Sequence, residues 1–197
     1  MILRMIGLFS LALLVSSCAS MEKEEDYWRV SVAAPKHYEV WVVDMFLEKP
    51  GERSWREPVG TVGCCWAGSY GPSGKGGRAD PFPELIGLRW FSFAEQKYYA
   101  KIIRVPEDLL DRMRQPAPYK TEGNVRAGPR NTMTIGLAPG GTVVVWILNQ
   151  IGNEIEVMRM QATEAEGDPD DFVAGTESYL EQHGDYLEEH GVPTEGW

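Results

Sequence analysis

Between Asn131 and Thr163 the chain alternates three β-type runs with two short separators. The runs are Thr132 to Ala138, Thr142 to Asn149 and Glu154 to Ala162; the separators are Pro139-Gly140-Gly141 and Gln150-Ile151-Gly152-Asn153. Glycine in each separator supplies the positive φ that a tight reversal needs, so the pattern predicts three antiparallel strands. The middle run is apolar on both faces, with Val143, Val145 and Ile147 on one and Val144, Trp146 and Leu148 on the other. A strand of this kind gives neither face to water, so its sheet must be covered on both sides.

Further β-type runs lie at Tyr27 to Ala33, Tyr38 to Leu47, Val59 to Trp66, Leu85 to Phe93 and Tyr98 to Val105, making about eight strands in all. In the second run, strict alternation sets Trp41, Val43, Met45 and Leu47 against Val40, Val42, Asp44 and Phe46. Residues 48 to 58 read as turns and Gly68 to Gly77 as a glycine loop, while Ala94 to Lys97 connects a hairpin. Pro106-Glu107-Asp108 opens a short helix through Arg114 with Leu109, Leu110 and Met113 on one face, and Pro116 and Pro118 stop it. A second helix starts at the cap Asp168-Pro169-Asp170-Asp171, carries Phe172, Thr176, Tyr179, Leu180, His183 and Leu187 at helical spacing, and ends at Gly191 and Pro193. Strands in runs, without βαβ alternation, indicate an α+β fold. We expect mostly antiparallel β structure, sandwich-like or a partly open barrel, with a short central helix and a C-terminal amphipathic helix. Of the 197 residues, 43% are apolar and 24% charged, ordinary values for a globular chain.

The first 17 residues have Arg4 near the tip and an apolar run from Met5 to Val15, the grammar of a targeting segment and too short to span a bilayer. Val15-Ser16-Ser17-Cys18 resembles the lipobox of bacterial lipoproteins. That resemblance implies cleavage before Cys18 and acylation of its thiol, with the membrane as a partner through the lipid. Ala19 in the following position implies the outer membrane. Several acyl chains hold a protein stably, each buried CH₂ contributing about 0.8 kcal/mol. The expected organisation is a signal peptide at 1–17, a lipidated Cys and tether at 18–26, a β-rich domain at 27–163, and an acidic helix and tail at 164–197 packed on that domain.

The formal charge of −10 argues against nucleic acid as a partner. From Cys18 to Ala162 acids and bases balance, whereas Thr163 to Trp197 holds 11 Asp and Glu and no Lys or Arg. Glu181, Asp185, Glu188 and Glu189 on the second helix are therefore the candidate contacts for a basic protein partner; the other reading is an ordinary solvated face.

No spacing marks a catalytic constellation, so the chain is not expected to be an enzyme and no cofactor is implied. The stretch Ser69 to Arg78 fails as a phosphate loop, because Ser69 stands for the first glycine and Gly76 for the metal-binding hydroxyl. A G-x-S-x-G elbow is absent. His37, His183 and His190 make a poor metal chelate by spacing, the last two lying two helical turns apart, so no metal is expected. Cys64 and Cys65 are expected as free thiols, the alternative being a bridge between neighbours. Trp66, Trp90 and Trp146 are candidates to border an apolar ligand cleft.

Pro35-Lys36-His37-Tyr38-Glu39-Val40, Leu88-Arg89-Trp90-Phe91-Ser92, Lys97-Tyr98-Tyr99 and Gly136 to Trp146 resemble a domain-of-unknown-function family of proteobacterial lipoproteins. The resemblance spans roughly residues 27 to 163 and is most specific in the last segment. It implies an envelope lipoprotein. Some relatives of this kind are encoded beside secreted antibacterial lipase toxins, which implies an immunity protein against a type VI secretion phospholipase effector. The alternative function is an envelope lipid- or glycan-binding module with an aromatic cleft.

Overall fold

A computed structural model describes residues 27–197. The expectations for the signal peptide, Cys18 and the tether lie outside the described residues. In chain order the elements are β1 (Arg29–Ala33), β2 (Val40–Lys49), β3 (Arg53–Arg56), β4 (Gly60–Val62), β5 (Lys75–Arg78), β6 (Leu85–Ser92) and β7 (Lys97–Arg104). Then come α1 (Leu109–Arg114), β8 (Ala117–Thr121), β9 (Asn124–Gly128), β10 (Thr132–Ala138), β11 (Thr142–Leu148), β12 (Ile155–Gln161), β13 (Thr163–Ala165) and α2 (Val173–His190).

Two sheets carry the domain. One runs β12-β11-β10-β1-β5 and the other β13-β7-β6-β2-β3, with β4 also paired to β2. Pairing is antiparallel throughout the named ladders except between β1 and β10, which run parallel. Val30, Val32, Met133, Ile135, Leu137, Val143, Val145 and Ile147 from the first sheet form one core with Val40, Val42, Met45, Leu47, Ile86, Leu88, Trp90 and Ile103 from the second. α1 closes an end of this core with Leu109 and Met113, both fully buried. The fold is thus an α+β sandwich, mostly antiparallel, and the β10-β11-β12 meander lies where the glycine separators put it.

The chain makes 13 strands where about eight were expected, and the additions share a cause. β3, β5, β8, β9 and β13 have at most five residues each, and they are polar or glycine-rich, so no apolar alternation marks them. β5 takes up the end of the expected glycine loop because its glycines serve packing: a Cβ at Gly76 would stand 2.0 Å from the Val30 carbonyl oxygen. Conversely, the run from Val59 to Trp66 shrinks to β4 alone.

Strict alternation fails inside β2. A bulge between Val42 and Asp44 shifts the register, so Val40 and Val42 share the inner face with Met45 and Leu47, while Trp41 and Val43 are exposed. Both expected alternation sets are thereby mixed.

α2 lies over the outer face of the second sheet, where Phe172 stacks on Phe91 at 4.8 Å and Tyr179 stacks on Phe93 at 5.6 Å. Beyond it the chain turns at Gly191, whose carbonyl accepts from Tyr38 Oη at 3.1 Å. The tail then brings Trp197 to Trp66, 6.0 Å between ring centroids, and Trp66 meets Trp146 on the outer face of the first sheet at 4.9 Å. Residues 172–197 therefore strap one sheet to the other around the end of the sandwich.

Candidate binding surfaces

The docked face of α2 differs from the expected stripe by a rotation. Thr176 and Tyr179 are buried, and His183, Tyr186 and Leu187 are half-buried. Leu180, placed in the stripe by spacing, is 42% exposed, as is Val173 seven residues earlier at 46%. Tyr186 takes the inner position instead, stacked on His37 at 3.9 Å. Hydrophobicity ranked Leu above Tyr, but the ring of Tyr186 fits the polar, aromatic surface that the turn before β2 presents.

Glu181, Asp185, Glu188 and Glu189 are all exposed on the opposite side of the helix, with Glu177 beside them. His190 Nδ1 lies 4.0 Å from Glu189 Oε2, the one approach of a basic side chain to these five carboxylates among the described residues. Neither Lys nor Arg is available from the segment itself, so the face is acidic.

Beneath α2 the turn before β2 contributes a histidine pair that spacing in the sequence does not reveal. His37 and His183 approach Nδ1 to Nδ1 at 3.3 Å, and Nε2 of His183 lies 3.3 Å from Glu39 Oε1. With Nε2–H donated to the carboxylate, Nδ1 of His183 is left to accept from Nδ1–H of His37. Tyr179 Oη donates to the His37 carbonyl at 2.7 Å, and burial raises the pKa of that phenol, with Glu39 adding to the shift. Burial lowers the pKa of His37, and the neighbouring charges of Lys36, His183 and His190 act in the same direction. The pair ties the turn before β2 to the middle of α2. Among the described residues no three His, Cys, Asp or Glu side chains converge as metal ligands.

Trp66, Trp90 and Trp146 do not border one cleft. Trp90 is fully buried between the sheets and stacks on Tyr99 at 5.6 Å, because β6 points it into the core. Trp66 and Trp146 meet on the far side of the first sheet, where Trp197 joins them. Cys64 and Cys65 form a disulfide, against the expected free thiols. β4 ends at Val62, so both residues lie beyond the strand expected to hold them, and strand alternation does not set their sulfurs on opposite faces.

The family model that matches this sequence spans residues 17–195 and is described as a protein of unknown function, DUF2931. The chain belongs to that family. The span covered by the DUF2931 match exceeds the resemblance in the β-rich body, since it takes in Cys18 at one end and α2 at the other. No curated protein and no solved structure matches the chain.

Proposed function

We propose that this DUF2931 protein is a lipid-anchored lipoprotein of the bacterial envelope, facing the periplasm from the outer membrane, that binds a protein partner on the outward side of α2. Its role in this reading is that of an immunity protein which captures a type VI secretion phospholipase effector. The observation that carries the proposal is the anatomy of α2: Val173 and Leu180 stand exposed beside Glu177, Glu181, Asp185, Glu188 and Glu189, with no Lys or Arg in Thr163 to Trp197. Apolar anchors with a charged rim are what protein interfaces use, and one sign of charge steers a partner of the other. The lipobox supports an anchor at Cys18, which would place the binder where a lipase works.

The product of a toxin-like gene adjoining this one is the probe. Its association rate should fall as salt is added, and should be slower for the E181Q/D185N/E188Q/E189Q variant at low salt. Identical rates and salt slopes for the two versions would remove α2 as the docking face. Replacing Cys18 with Ser should abolish lipid labelling and release the protein from the membrane; unchanged fractionation would remove the anchor.

A second reading, the envelope lipid- or glycan-binding module, draws on the meeting of Trp66, Trp146 and Trp197. Trp90 takes no part in it.

A further inference from the structure

A groove of about 430 Å³ opens where three segments far apart in sequence converge. The turn before β2 supplies Pro35, Lys36 and Tyr38; the loop after β4 supplies the Cys64–Cys65 disulfide, Trp66 and Tyr70; α2 and the tail supply Tyr186, Pro193 and Trp197. We propose that this groove binds a single acyl chain bearing an anionic head, the chain lying along the disulfide and the indoles and the head meeting Lys36.

Three features of the groove select that chemistry. First, its walls are rings, prolines and a disulfide, surfaces that gain from removing hydrocarbon from water and make close dispersion contact with it. Secondly, the polar groups that a sugar would need are scarce. Among the described lining residues there is no Asp, Glu, Asn, Gln or Arg. Tyr38 Oη is already donated to the Gly191 carbonyl and the Trp197 indole N–H to the Pro193 carbonyl at 2.9 Å. Thirdly, Lys36 is the charged side chain among these lining residues, and it is exposed and in no ion pair among the described residues. A lone cation at the rim of an apolar groove complements one negative head and repels a positive one.

The walls are held in place before any ligand arrives. Cys65 and Ser73 exchange backbone hydrogen bonds at 3.1 and 3.3 Å, and Ser73 Oγ donates to the Tyr70 carbonyl at 2.6 Å, which pins the loop. Arg159 holds the backbone carbonyl of Trp197. Binding then needs little ordering of the protein, which leaves more of the contact energy for affinity. Tyr70, 75% exposed at the mouth, is the one ring free to fold over an occupant.

This inference narrows the second reading above to one ligand class and is independent of partner capture on α2. The full chain, purified in a polyoxyethylene detergent, is titrated with dodecanoate brominated at its tail end, because bromine quenches an indole that it touches. Saturable quenching is expected. It should weaken by about tenfold or more in Lys36→Glu and in Trp197→Ala, each checked for an unchanged far-ultraviolet circular dichroism spectrum. A dodecyltrimethylammonium ion with the same bromine partitions into micelles equally well and should not quench saturably. Equal quenching by the two head groups, or by wild type and both variants, would overturn the inference. A soluble oligosaccharide is titrated separately: a shift in tryptophan emission with it, and no saturable response to the carboxylate, would overturn the acyl-chain assignment and leave a glycan module standing. Silence in both titrations would remove the module altogether.

Discussion

His37 and His183 face each other Nδ1 to Nδ1 at 3.3 Å across 146 residues of sequence, tying the turn before β2 to the middle of α2. One proton fits between two such nitrogens, so the bond lasts only while one of them is unprotonated. Around the pair stand Lys36 and His190, which oppose a charge on His37, and the Glu39 carboxylate beside His183, with Tyr186 stacked on His37. The folded-state pKa of His37 is lowered, mainly by burial, so between that value and the ordinary one near 6.5 the unfolded chain binds more protons. The stability contributed by neutral His37 is therefore fully present above about pH 6.5 and is lost as the pH falls through the lower, folded-state value. We expect the melting temperature to fall on acidification in this window. His37→Asn, a residue that also accepts the left-handed backbone found here (φ 72°), should flatten that part of the profile. Superimposable profiles for wild type and variant would show that the pair does not govern the attachment of α2.

Gly140 sits between β10 and β11 with φ at 73°, and a Cβ built there would stand 2.2 Å from the Thr194 carbonyl oxygen. A β-branched residue meets two obstacles, a backbone region it avoids and the tail that crosses the turn. Gly140→Val should lower the unfolding free energy by about 1–3 kcal/mol. The tail should also loosen, raising the rate of proteolysis within residues 191–197. A variant with unchanged melting temperature and cleavage would contradict this packing.

What could be read in the sequence follows from how each contact is encoded. The meander was legible because Val143 to Leu148 carries its burial in residue type and Pro139-Gly140-Gly141 carries its turn in backbone preference, both local properties. The bulge in β2 was not, since Val43 is as apolar as its neighbours and only the pairing with β6 decides which face it takes. Trp90 shows the same limit: a tryptophan within a strand reads alike whether it fills a core or borders a cleft, and the register Trp90 with Tyr99 settles it. The groove joins Lys36, Cys65 and Trp197, which belong to segments that approach only once the strap has closed. The histidine pair is hidden for a related reason: 146 residues separate His37 from His183, and no local pattern joins a turn residue to a helix surface.

Tyr179 and Leu180 are neighbours whose exposure is opposite, 3% and 42%. Hydrophobic spacing alone gave them similar roles, so their variants discriminate the observed helix orientation from the expected one. Tyr179→Ala should cost about 3–5 kcal/mol by analogy with other buried aromatic truncations, while Tyr179→Phe, which removes only the hydrogen bond to the His37 carbonyl, should cost about 0.5–1.5 kcal/mol. Leu180→Ala should stay within about 0.5 kcal/mol of wild type in chemical denaturation. If Leu180→Ala were instead as damaging as Tyr179→Ala, the helix would be docked by its other edge.

Gly136 marks the place where the aromatic cluster presses hardest on the first sheet. Its backbone is ordinary extended strand, yet a Cβ there would lie 2.5 Å from the Trp66 ring and 2.6 Å from that of Trp146. The two rings therefore occupy the volume that a side chain would fill, which brings Trp66 down onto β10 and lets Trp197 close against it. Gly136→Ala has little to lose in backbone freedom, and alanine suits a strand no worse than glycine, so any loss must come from displacing the indoles. Overpacking of this kind costs about 1–3 kcal/mol. We expect that loss in denaturant unfolding together with a change in the near-ultraviolet circular dichroism of the tryptophans. A second change, Trp66→Leu, removes the ring from the site and should recover part of the stability of Gly136→Ala, giving a coupling energy above about 0.5 kcal/mol in the double-mutant cycle. Strict additivity of the two changes would mean that Trp66 does not rest on Gly136.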